Sequence, residues 1–358
     1  MKKRFYYLLI ICSILCNFIL YTPNKMHQEL YNGPIYAVAI GFIVSCCNAY
    51  MLLYILNNYK DCSLAQINKE LYNKYVAILF TTIYIILNNL IAFFMFRALL
   101  ELVIRFLLPN TNIITVSLLI LLVVYIDLFN NNRTYLNFIG YVSLIIILLS
   151  MLQVSLSLRN IKFYNLMGTV IHSNKVPSLP SIGAASFYFS GVSHLAALNT
   201  EFPKLSAKKT CLIFLVIGIP AALLSIYIPV GIWGPVAVQN VQFTWSATAD
   251  TLQINLFFIE RGIFILFPLF FLMASSQILN YWHTALALFK ETMPIKWFQT
   301  GFILSSSIIY ITVTLLFKNS QSILSYGSLV MTIAFLANTF LTALSFFKVR
   351  LKKGIRNA

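Results

Sequence analysis

Apolar residues run along this chain in ten long blocks separated by short polar stretches. The blocks cover roughly residues 5–22, 34–57, 75–107, 111–128, 134–158, 181–200, 209–234, 252–289, 297–317 and 323–347. A helix needs about 20 apolar residues to cross a bilayer, so the pattern predicts an all-α integral membrane protein with ten transmembrane helices. The third and eighth blocks exceed that length and must tilt or protrude. Two intervening stretches have character of their own. In residues 61–74, Leu64, Ile67 and Leu71 recur at helical spacing among charges, the pattern of a cytoplasmic interfacial helix. Residues 234–251 are only moderately polar and are expected to fold onto the bundle as a lid.

Ten spans divide into five plus five. Because five is odd, the second half enters the membrane from the opposite side, giving a 5+5 inverted repeat (LeuT-like) in which helices 1 and 6 are discontinuous at a ligand site. The expected layout is a single membrane domain over residues 1–358. Residues 1–158 form the first repeat, 181–347 the second, and 348–358 a basic cytoplasmic tail. Span 6 supports the broken-helix reading: nine of its residues 181–200 are Ser, Thr, Gly, Asn or His, too polar for a lipid-facing helix. Span 1 carries an interruption at Cys16-Asn17 and a stop at Thr22-Pro23. An unwound helix exposes amide N–H and C=O groups, and a small zwitterion satisfies both kinds. The candidate ligand-binding residues are therefore Cys16, Asn17 and Phe18 on span 1, facing Phe189, Ser190, Gly191, Ser193 and His194 on span 6. Close helix packing is the competing role for Ser and Gly, and an ordinary buried hydrogen bond the competing role for His194. Asn88 and Asn89 face either the same cavity or a neighbouring helix.

Composition agrees with the pattern. The chain of 358 residues is 60% hydrophobic and 9% charged, with a mean hydropathy of +0.84, where a soluble domain carries about 25% charged residues. The net charge of +16 raises nucleic acid as a partner, but its distribution argues for none. Seventeen of the 25 Lys and Arg residues fall in the terminal and loop segments on the N-terminal side of the membrane, against five on the other side. By the positive-inside rule both termini are cytoplasmic. Met1-Lys2-Lys3-Arg4 opens like a signal peptide, yet no small-residue cleavage site follows, so a retained first span is expected. The six cysteines lack metal-ligand spacing and read as small buried apolar residues.

Charge within apolar blocks is costly and usually functional. Arg97, Glu101 and Arg105 form one stripe at four-residue spacing on span 3, and Glu260-Arg261 sit together in the block read as span 8. Matching depths predict a network across the two spans, with Glu260 pairing Arg97 and Arg261 pairing Glu101. It serves either as a scaffold lock or in handling a ligand or proton. No Walker loop, zinc motif or Ser/His/Asp spacing is present, so no catalytic residue, metal or cofactor is expected. His172 alone raises a membrane enzyme of envelope glycan assembly.

Three stretches resemble one family: Gly231-Ile-Trp-Gly234-Pro235 followed by Gln242-Phe-Thr, the run Asn255-Leu-Phe-Phe-Ile-Glu260-Arg261, and Phe189-Ser190-Gly191. They are similar to the B subunit of spore-germination nutrient receptors (GerAB-type), within the amino acid–polyamine–organocation superfamily. The resemblance implies a subunit of the inner spore membrane that senses a small amino acid or similar nutrient. It further implies a complex with an A-type membrane subunit and a C-type lipoprotein subunit. An amino-acid permease with the same pocket is the alternative.

Overall fold

The computed structural model describes residues 2–18, 21–128, 131–172, 175–256, 259–317 and 320–356. The chain enters through α1 (Lys3–Asn17) and α2 (Tyr21–Gln28), which meet at a 45° bend. Gly33, at a φ of 63°, turns the backbone and Pro34 then occupies the first helical position of α3 (Pro34–Asn58), where its missing N–H costs nothing. The short α4 (Leu64–Leu71) is held by a capping box, Ser63 accepting from the Gln66 amide while the Gln66 side chain accepts from Ser63 N. As expected this segment is helical, but Leu64, Ile67 and Leu71 are buried against the protein rather than turned to lipid. The side chain of Asn73 caps α5 (Lys74–Phe106), accepting from Val76 N at 2.9 Å. Then follow α6 (Ile113–Leu128), α7 (Asn132–Leu158) and α8 (Phe163–His172).

Block 6 is in pieces. The helix α9 (Leu179–Phe187) gives way to a 3-10 turn over Ser190–His194, a single turn α10 (Leu195–Leu198) and a second 3-10 turn over Asn199–Glu201. Gly41 lets α3 lie directly on α9, since a Cβ there would stand 2.8 Å from the Ser186 amide nitrogen. Next, α11 (Ala207–Ile213) passes through a π-helical turn over Phe214–Gly218 into α12 (Ile219–Trp233). Pro220 accounts for the widened turn, because it cannot donate to the carbonyl four residues back. Residues 234–251 do fold onto the bundle. Their helix α13 (Thr244–Thr251) buries Trp245, whose indole N–H donates to Ser225 O at 3.1 Å.

The eighth block departs from expectation. Near its start, β1 (Gln253–Leu256) and β2 (Ile259–Arg261) pair as antiparallel strands, in the register Gln253↔Arg261 and Leu256↔Ile259. Only at Gly262 does α14 (Gly262–Thr292) begin, followed by α15 (Lys296–Leu316) and α16 (Ser320–Arg356). Among the described residues, seven helices are long and apolar enough to cross a membrane, and the bent pair α1–α2 makes an eighth. The apolar α6 is shorter. One helix organises the interior: 67% of the apolar window of α14 is buried, against 39% for α3, α5 and α7. It lies along α5, with α1, α7 and α13 also packed on it.

Candidate functional site

The two interrupted segments meet each other and α14. Asn17 is the last residue of α1 and is 1% exposed. Its Nδ2 donates to Phe187 O at 2.8 Å and to Ser190 Oγ at 3.1 Å. Phe187 closes α9, so its carbonyl is one of those a helix end leaves without an internal partner. Gln277 of α14 fastens the junction from below: its Nε2 donates to Asn17 Oδ1 at 3.1 Å and to Ser13 O at 3.0 Å. Ser190 Oγ also lies 2.9 Å from the Tyr281 hydroxyl, and the Tyr281 ring stacks on Phe187 with centroids 6.1 Å apart. Ser193 Oγ donates back to Ser190 O at 2.8 Å, holding the 3-10 turn.

At this junction a cavity of about 10 Å³ opens between Asn48, Phe187, Ser190, Ser193, Tyr281 and Asn338. That is room for about one water molecule. The Oδ1 atoms of Asn48 and Asn338, which both line it, and the nearby Gln277 Oε1 have no hydrogen-bond partner among the described residues. Ile91 and Phe335 complete the lining, which thus mixes apolar walls with unused acceptors and holds no ionised group, and this suits a ligand of no net charge that carries N–H donors.

Several expected site residues are elsewhere. Cys16 is buried against Cys12, with sulfurs 3.8 Å apart. Phe18 packs on Trp245 at 4.6 Å between ring centroids, which ties α1 to the lid helix α13. Phe189 is wedged between Phe42 and Phe214. Gly191 is a packing glycine: a Cβ there would stand 2.7 Å from Ser13 Cβ. His194 is fully buried one turn below the cavity. The Thr284 hydroxyl donates to Asn280 O at 2.7 Å, so it accepts from His194 Nδ1–H at 3.1 Å. That tautomer leaves Nε2 as an acceptor without a partner among the described residues. Of the expected residues, the junction thus assembles Asn17, Ser190 and Ser193, with His194 beneath. It adds Gln277 and Tyr281, which sequence reasoning missed. Their signal was present, since Gln277, Asn280, Tyr281 and Thr284 recur at three- and four-residue spacing along one face of α14. Asn89 bonds a neighbouring helix, donating to Ser306 Oγ at 2.9 Å, and Asn88 bonds its own helix at Tyr84 O. Cys47 is exposed, contrary to the reading of all six cysteines as buried.

The charge network is also corrected. Arg97 pairs with Glu101 on its own helix, Nη1 to Oε2 at 2.8 Å. Arg261 pairs with Asp250 of α13 at 2.5 Å. Because the strand pairing displaces Arg261 from α14, its side chain is 59% exposed, whereas that of Arg97 is 3% exposed. The backbone of Glu260 lies in β2, and its side chain falls outside the described residues, as does that of His172. Arg105 donates to Gln242 Oε1 at 3.0 Å.

A second recess of about 200 Å³ lies at the far end of α14, between Asn132, Thr200, His283, Lys290 and Glu291. His283 Nε2 is 3.0 Å from Asn132 Oδ1, and its ring stacks on Tyr135 at 4.1 Å. Tyr135 in turn donates to Asn280 Oδ1 at 2.6 Å, so a chain of buried polar groups along α14 links this recess to the base of the junction. No group of three metal-ligating side chains is found among the described residues.

Compared with known families, residues 1–323 match the model of one described as spore germination protein. A comparison with curated proteins finds none that matches.

Proposed function

Because this chain belongs to the spore germination protein family, we propose that it is the integral membrane subunit of a germinant receptor. In this reading it senses a small nutrient, an amino acid, at the junction of α1, the interrupted α9–α10 segment and α14. One observation carries it: Asn17, Phe187 O, Ser190, Gln277 and Tyr281 converge where two helices break, beside a cavity with unused acceptors. An amino acid offers ammonium donors to Asn48, Asn338 and Gln277, and carboxylate acceptors to the Ser190 and Tyr281 hydroxyls. It needs several times the roughly 10 Å³ of the cavity, so binding has to part the helices. A ligand shifts such an equilibrium only by its differential affinity for the two arrangements. Here the difference comes from trading Asn17–Ser190 and Ser190–Tyr281 contacts for contacts to the ligand.

The wider reading keeps a 5+5 inverted repeat with both termini cytoplasmic, and α5 with α14 as the fixed wall. It includes an A-type membrane subunit and a C-type lipoprotein subunit as partners in the inner spore membrane. A permease is the second reading, favoured by the recess at Asn132, His283 and Lys290, which a released substrate would cross. Proteoliposome uptake separates the two. Saturable amino-acid binding without concentrative uptake supports the receptor. Concentrative uptake by this chain alone establishes the permease.

A further inference from the structure

A groove of about 540 Å³ runs between α5, α15 and α16, away from the junction. Its walls are mainly apolar, among them Ile86, Leu90 and Phe93 of α5, Ile309 and Val313 of α15, and Val330 of α16; Asn89, Ser306 and Tyr310 also line it but bond one another. Arg97 and Thr314 line one end. Arg97 is 2% exposed, and its Nε–H has no partner among the described residues; the same holds for the buried Thr314 hydroxyl. Nη1 is committed to Glu101. What the groove lacks, at that end alone, is an acceptor.

Two helices locate that end relative to a membrane. From Lys74 to Arg97, α5 advances about 35 Å, which matches a hydrocarbon core of about 30 Å once a typical tilt is allowed. Independently, α15 is 21 residues long, about 31 Å. It opens beside the exposed Trp297 and ends next to Phe317, which lines the Arg97 end of the groove. Both rulers put Arg97 at the boundary between hydrocarbon and headgroups. From Ile86 to Arg97 the groove extends about 16 Å, the depth of one leaflet. The stripe Arg97, Glu101 and Arg105 carries one net positive charge toward the headgroup side.

We propose that this groove is a binding site for an anionic phospholipid, one acyl chain lying along α5 and α15 and the phosphate accepting from Arg97 Nε–H and Thr314 Oγ–H. An apolar slot one leaflet deep, ending in unspent donors at headgroup level, is complementary to that amphiphile along its whole length.

The test uses the full chain in bilayers of equal phosphatidylglycerol and phosphatidylcholine, extracted and examined by native mass spectrometry. Retained lipid is expected to favour phosphatidylglycerol about fivefold, the ratio equivalent to about 1 kcal/mol for one basic residue at an anionic surface. Val330→Trp, which fills the groove, is expected to abolish the retained lipid. Leu148→Trp on the exposed face of α7 is expected to leave it unchanged. Thr314→Val is expected to lower the preference without removing the lipid. A photo-crosslinker at position 330 guards against misfolding of the filled variant and should label lipid. Equal retention of the two lipids, phosphatidylglycerol bound as well by Val330→Trp, or a crosslink to protein would each overturn the proposal.

Discussion

At the scale of single residues, burial separates charges that look alike in sequence. Arg97 is enclosed and Arg261 faces outward, so the same substitution should have different costs. Arg97→Gln removes a guanidinium 3% exposed from its ion pair with Glu101 and should cost about 3 kcal/mol. Arg261→Gln breaks an exposed pair and should cost under about 1 kcal/mol. Thermal unfolding in detergent reads both, and equal shifts would contradict the assignment. The sequence showed the stripe on α5 but not its internal pairing. At four-residue spacing one long guanidinium reaches the next turn, so Arg97 needs no second helix. Gly191 is a packing position of the same kind. With Ser13 Cβ 2.7 Å from where its own Cβ would stand, Gly191→Ala should destabilise by about 1–3 kcal/mol through overpacking. If its melting temperature equals that of the parent, α1 and the 3-10 turn do not touch there.

At the scale of elements, hydropathy located the apolar blocks well and their ends less well. Apolar character places residues 253–261 in the eighth helical block, yet Gln253–Leu256 and Ile259–Arg261 pair as strands, because transfer energy does not distinguish a short strand from a helical turn. The interruption of block 6 was legible, since its Ser, Gly and His residues make a poor lipid-facing surface. The polar stripe Gln277, Asn280, Tyr281 and Thr284 on α14 is equally visible in the sequence. The start of α4 is set by the capping box Ser63-x-x-Gln66. Ser63 also bonds Glu291, joining α4 to the far end of α14. Ser63→Ala should therefore cost about 0.5–2 kcal/mol and speed amide exchange over residues 64–71 while α7 exchanges as before. Unchanged exchange over α4 would remove this link from the account.

At the scale of the whole molecule, α14 is at once the most buried of the seven long apolar helices and the one that contributes Gln277 and Tyr281 to the junction. The interior helix thus touches both interrupted segments, and the buried polar chain along it runs on to the recess at His283. The central claim is the proposal that a nutrient amino acid binds at this junction, and equilibrium binding of radiolabelled amino acids to the full chain in reconstituted membranes tests it most directly. Ser190→Ala removes one hydroxyl and Gln277→Ala one amide from the junction, while Phe18→Leu alters packing outside it. The account predicts that Ser190→Ala and Gln277→Ala each weaken binding about tenfold or more, the equivalent of about 1.4 kcal/mol, and that Phe18→Leu leaves affinity within about twofold. Saturable binding that keeps its affinity in both Ser190→Ala and Gln277→Ala would place the ligand elsewhere.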